Sequence, residues 1–117
     1  MTTYVGSEPE YLSTHPGWVK IGRAFLISIR HRPTSKLPTY EEFAASYGGK
    51  AKAARYVLNS IWAENDRGGE PNLASLVVLK NTGLPGLYYD GQPLHANDVI
   101  GILEWTDDLH TIRNWKW

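Results

Sequence analysis

The 117-residue chain holds few residues spaced for catalysis. His15, His31, His95 and His110 stand singly, without the His-x-x-x-His or His-x-x-Glu spacing that sets two metal ligands on one helix face. Zero cysteines exclude disulfides, thiolate nucleophiles and thiolate metal sites. Gly49-Lys50 has the ending of a phosphate loop, yet Ala44 stands where its first glycine belongs. Ala51 likewise replaces the Ser or Thr that would hold magnesium. Asp107 and Asp108 are consecutive on a predicted helix, so their carboxylates diverge. The expectation is a protein that is not an enzyme and needs no cofactor or metal.

A different chemistry is better furnished. Lys50, Lys52, Arg55, Tyr56 and Asn59 recur on the outer side of a predicted helix, with Ser46 and Tyr47 in the turn before it. Arg and Asn suit base edges, and Lys and Ser suit phosphates. Charge runs the same way. Residues 20–55 hold eight basic side chains against Glu41 and Glu42, a local +6 within a chain of net charge zero. Residues 1–19 carry −2 and residues 56–117 carry −4, so a polyanion is drawn to the middle of the chain.

The elements that must position these residues follow from periodicity. Residues 1–14 read as a polar arm containing Tyr4 and Tyr11, residues 15–112 as one domain, and residues 113–117 as a tail. Pro16 suits the first turn of a helix ending near His31, with Trp18, Ile21, Gly22, Phe25, Leu26 and Ile29 on its inner face. Thr39 and Glu42 match a capping box that opens a short second helix, closed by Gly48-Gly49. A third helix is predicted from Lys50 to about Glu64, buried through Ala51, Ala54, Val57, Leu58, Ile61 and Trp62. A tight turn of about three residues between helices two and three is the helix-turn-helix pattern.

Beyond the loop 66–72, Leu73–Leu79 reads as a buried strand. Leu84–Tyr89 reads as its antiparallel return, irregular near Pro85, and the pair forms a wing carrying Lys80. Asn97 is the expected cap of a last helix with Val99, Ile102, Leu103, Thr106 and Leu109 inward. The predicted class is therefore α+β, mainly α: a winged helix-turn-helix with an N-terminal helix, a two-stranded β-hairpin wing and a C-terminal helix.

Residues 38–91 also resemble the DNA-binding domain of O6-alkylguanine-DNA alkyltransferases, and more so the alkyltransferase-like proteins that lack the reactive cysteine. The resemblance is carried by Thr39-Tyr40-Glu41-Glu42-Phe43-Ala44, Gly48-Gly49, Ala54-Arg55-Tyr56-Val57, Asn59, Leu73 to Val78, and Gly83-Leu84-Pro85-Gly86-Leu87-Tyr88. It implies that Arg55 is an arginine finger for the minor groove and that Tyr40 helps to rotate a nucleotide. The family's Pro-Cys-His-Arg-Val falls on Leu73-Ala74-Ser75-Leu76-Val77, so Ala74 rules out alkyl transfer.

The expected function is thus non-enzymatic binding of double-stranded DNA, regulatory or in recognition of DNA structure or lesions, through Tyr40, Lys50, Lys52, Arg55, Tyr56, Asn59 and Lys80. The alternative is a protein-interaction or inhibitor module. Its partner, or a second copy, would sit on the terminal helices and on Trp115 and Trp117. No apolar run nears the roughly 18 residues of a membrane span, and the N-terminus lacks a signal-peptide pattern, so a cytoplasmic protein without membrane contact is expected.

Overall fold

Pro16 opens the first helix among the described residues, α1 (Pro16–Ile29), where its missing amide breaks no helical bond. The structure is a computed structural model that describes residues 15–117, so the expected arm 1–14, with Tyr4 and Tyr11, lies outside the described residues. Helix α1 buries Val19, Gly22 and Leu26 and half-buries Trp18, Phe25 and Ile29. Ile21, expected inward, is 48 % exposed because the inner face centres on Val19 instead. At Gly22 the helix rests on Phe43: a Cβ there would lie 3.0 Å from the ring.

A single 3-10 turn (Thr34–Lys36) leads to α2 (Tyr40–Ala45). The Thr39 hydroxyl accepts the Glu42 amide at 3.3 Å, but the reciprocal half of the capping box is missing. The Glu42 carboxylate accepts from Arg32 Nη1 at 2.7 Å instead. Helix α2 closes in a Schellman motif, with Gly49 N–H to Ala44 O at 2.9 Å and Gly48 N–H to Ala45 O at 3.2 Å. Gly48 sits at φ +79°, a conformation that favours glycine. The next helix, α3 (Ala51–Arg67), buries Ala54, Val57, Leu58, Ile61 and Trp62 as the periodicity predicts. It runs past the predicted end at Glu64, and residues 46–50 form a connection longer than the predicted turn.

The β-hairpin wing is overturned, and with it the winged-helix class. No strand or sheet occurs among the described residues; the chain makes two isolated bridges, Thr39 with Val78 and Val78 with Pro85. Leu73–Leu76 is a 3-10 turn, not a strand. Its backbone is satisfied locally: Asn72 Oδ1 accepts Ala74 N–H at 2.9 Å, the Ser75 hydroxyl donates to Asn72 O at 2.7 Å, and Asn65 Oδ1 accepts Leu73 N–H at 2.9 Å. Groups spent this way are lost to a ladder. The return Leu84–Tyr89 contains Pro85, which offers no donor, and the link closes tightly through Gly83 N–H to Leu79 O at 2.8 Å. Leu73, Ala74, Leu76 and Val77 are each 0 % exposed, so the run is apolar because it lies in the core.

The last helix, α4 (Val99–Asn114), is capped by Asp98 rather than Asn97, its carboxylate accepting Gly101 N–H at 2.8 Å. Its buried residues are Gly101, Trp105, Asp108, Leu109 and Ile112; the expected inner residues Val99, Leu103 and Thr106 face outward. Two hydrogen bonds set that rotation. The Trp105 indole N–H donates to Ser75 O at 2.9 Å, and the Tyr88 hydroxyl donates to the buried Asp108 carboxylate at 2.6 Å. A large aromatic with a satisfied N–H buries more apolar surface than an aliphatic in its place. Near its end, Arg113 donates to Arg30 O at 3.1 Å and Arg32 O at 2.9 Å, the carbonyls just beyond α1. Trp117 Nε1 donates to Ile112 O at 2.9 Å, with the Arg23 guanidinium 5.4 Å from a Trp117 ring centroid.

Asn65→Ala removes the acceptor of a buried amide, so it should lower the unfolding free energy in urea by about 1 to 3 kcal/mol. Burial and the Asp108 carboxylate raise the Tyr88 phenol far above its ordinary 10.0. Partial desolvation and the Glu104 carboxylate push Tyr89 up to about 12. The folded state therefore holds these protons more tightly than the unfolded chain. Their contribution is complete below the ordinary tyrosine value and is lost as pH climbs beyond it. Stability measured by denaturation should fall above that value, and Tyr88→Phe with Tyr89→Phe should flatten the fall.

Candidate nucleic-acid interface

Helix α3 turns one side to solvent. At about 100° per residue, Lys52, Arg55, Tyr56 and Asn59 share a single outward stripe opposite Ala54, Val57 and Ile61. Lys52, Arg55 and Tyr56 are exposed and Asn59 is half-buried. Lys50, the residue before the first turn, is exposed as well and makes no side-chain cap. The structure therefore assembles five of the sequence-predicted residues on and beside one helix face.

The remaining two, Tyr40 and Lys80, lie beside the start of that helix. Together with Thr39, Glu41, Ala51, Val78 and Leu79 they line a cavity of about 110 Å³. Tyr40 opens α2, Ala51 opens α3, and Lys80 lies just past the bridge that holds Val78 to Thr39. Val78 N–H donates to Pro38 O at 2.9 Å, which seats the loop against α2. Gly86 presses close on the other side: a Cβ there would lie 2.7 Å from the Tyr40 hydroxyl. Burial raises the Tyr40 phenol above its ordinary value, and the nearby Arg55 guanidinium partly draws it back. Tyr40 and Arg55, paired by the resemblance, are thus electrostatic neighbours.

The basic stretch 20–55 is less available than its sequence sum. Arg23 forms a two-pronged pair with Glu70, at 3.2 and 3.1 Å. Arg32 pairs with Glu42, and Arg30 Nη1 donates to Ile27 O at 2.7 Å. Lys20, Lys36, Lys50, Lys52 and Arg55 remain exposed. Sequence reasoning placed neither Glu41 nor Leu79 in the site and did not anticipate that Gly86 closes on Tyr40. No local signal marks these, because the contacts join distant segments.

The segment Leu73–Val77 is shut. Ala74 is 0 % exposed, inside the capped 3-10 turn, with the Trp105 indole held on the neighbouring Ser75 carbonyl. Among the described residues no group of three or more His, Asp or Glu side chains is placed to hold a metal ion. No described helix is long and apolar enough to cross a membrane. No protein-family model matches the chain, nor does any curated protein or solved structure.

The Tyr40 phenol should titrate above its ordinary value when followed by NMR of the ring carbon. Arg55→Ala should move it further upward, because the guanidinium stabilises the phenolate. An unchanged titration would mean that Arg55 does not reach Tyr40 in solution.

Proposed function

We propose that the chain is a non-enzymatic, cytoplasmic DNA-binding protein that sets α3 against double-stranded DNA. The observation that carries this reading is the outward stripe of Lys52, Arg55, Tyr56 and Asn59, with Lys50 and Lys80 flanking the N-terminal end of the same helix. Lys50, Lys52 and Lys80 contact phosphates and set the register. Arg55 and Asn59 face the groove, with Arg55 in the finger position that the alkyltransferase-like resemblance implies. Tyr56 adds contact area, and Tyr40 backs Arg55 from the cavity behind it. The irregular loop through Lys80 takes the place of a wing. The roles need no metal, cofactor or covalent step.

A second reading, a protein-interaction module, draws on one feature: the outer face of α4 is aliphatic over its first turns. The expected tryptophan surface supports it less, because Trp117 is half-buried against the body and only Trp115, 38 % exposed, stands out.

Fluorescence anisotropy with a labelled duplex at two salt concentrations separates the two. Binding should weaken with salt, log K against log salt falling by about 0.9 for each phosphate contact. Lys52→Ala should remove roughly one such unit of slope, and Arg55→Ala should cost about 1 to 3 kcal/mol. An absence of binding at low salt, or an affinity that salt leaves unchanged, refutes DNA binding by this face.

A further inference from the structure

Beside the start of α3 the chain leaves a cavity of about 110 Å³. The parallel bridge of Thr39 with Val78 ties two segments together at one point, and beyond it they part. On one side Tyr40 and Glu41 coil into α2. On the other, Leu79 and Lys80 run into the tight loop closed by Gly83 N–H on Leu79 O. Tyr40 with Leu79 and Glu41 with Lys80 therefore border the gap from its two sides, and Ala51 of α3 shares its lining with Val78. The loop's amides are already spent, Val78 N–H on Pro38 O and Leu79 N–H on Leu84 O, each at 2.9 Å. The inner lining is thus largely aliphatic, while Glu41 and Lys80 are exposed at the mouth.

We propose that this cavity binds a free α-amino acid with a branched aliphatic side chain. Size and charge set that class. An enclosed cavity of about 150 Å³ takes a benzene ring, so the smaller volume here suits a branched chain of a few carbons. Water gains little on such walls, because it needs several polar partners. The two charges at the mouth are opposite in sign, and neither forms an ion pair among the described residues. Glu41 takes the α-ammonium, Lys80 takes the α-carboxylate, and the side chain lies against Ala51, Val78 and Leu79. A short fatty acid would set its carboxylate beside Glu41 with nothing to answer that charge. An aliphatic amine would do the same to Lys80.

The charged heads of ligand and protein both stay in contact with water, so each exposed pair adds only a few-fold to the affinity. A ligand this small then binds in the millimolar range. The site is independent of DNA binding, since none of Lys52, Arg55, Tyr56 and Asn59 lines the cavity.

Titration of the full chain with L-leucine, without DNA and followed by amide NMR, tests it. Resonances of Tyr40, Glu41, Ala51, Val78, Leu79 and Lys80 should shift and saturate. L-leucinamide, which lacks the carboxylate, and 4-methylpentanoate, which lacks the ammonium, should each bind more weakly. Glu41→Gln, at an exposed position, should weaken leucine by about two- to fivefold and leave 4-methylpentanoate unchanged. Lys80→Met should weaken leucine by a similar factor and leave leucinamide unchanged. Ala51→Leu fills the cavity and should abolish the shifts while keeping the wild-type circular dichroism. No saturable shift up to the solubility of leucine, or shifts that persist in Ala51→Leu, overturns the proposal. So does either analogue binding as tightly as leucine, or a leucine affinity that both Glu41→Gln and Lys80→Met leave unchanged.

Discussion

The fold depends on the side chain of Asn65. Fully buried near the end of α3, it accepts the Leu73 amide and donates to Glu70, which in turn holds Arg23 of α1. One carboxamide thus links the longest helix, the first helix and the segment that enters the core. A buried polar group without partners would be costly, so this network specifies one arrangement rather than adding general cohesion. Because the Leu73 amide is answered by Asn65 and the Ala74 amide by Asn72, the segment enters as a capped turn.

That capped turn sets the placement of the C-terminal half. Ser75 presents its carbonyl to the Trp105 indole, and the buried Asp108 one turn along α4 takes the Tyr88 hydroxyl. These contacts fix the rotation of α4, which is why its aliphatic residues at 99, 100 and 103 lie outside. The same loop passes Val78 beside Thr39 and Gly86 beside Tyr40, closing the cavity at the start of α3. The inner scaffold and the candidate interface are therefore parts of one construction, and both hang on a segment that makes no sheet.

Electrostatics depend on the same packing. A sum over residues 20–55 treats every cation as available, but a guanidinium in a two-pronged ion pair has its donors engaged. Arg23 is in that state and Arg32 is paired with Glu42, whereas the cations of α3 point outward. Of the cations that stay exposed in residues 20–55, Lys50, Lys52 and Arg55 stand on or beside α3, with Lys80 next to its start, while Lys20 and Lys36 lie on other elements.

Much of this was determined by local sequence. Pro16, the Thr39 cap, the Gly48 turn and the apolar period of 51–62 each act over a few residues, so α1, α2 and α3 are legible from the chain alone, as is the outward stripe of α3. The run Leu73–Leu79 was not legible in this way, because a short apolar run reads the same whether its amides meet a strand or a side chain. Asn65 and Asn72 decided that, eight and two residues from the amides they satisfy. The inner face of α4 was likewise settled by Ser75 and Tyr88, thirty and twenty residues distant from the side chains they bind. Periodicity reports which residues share a face; which face is buried depends on partners that only the tertiary structure brings into reach.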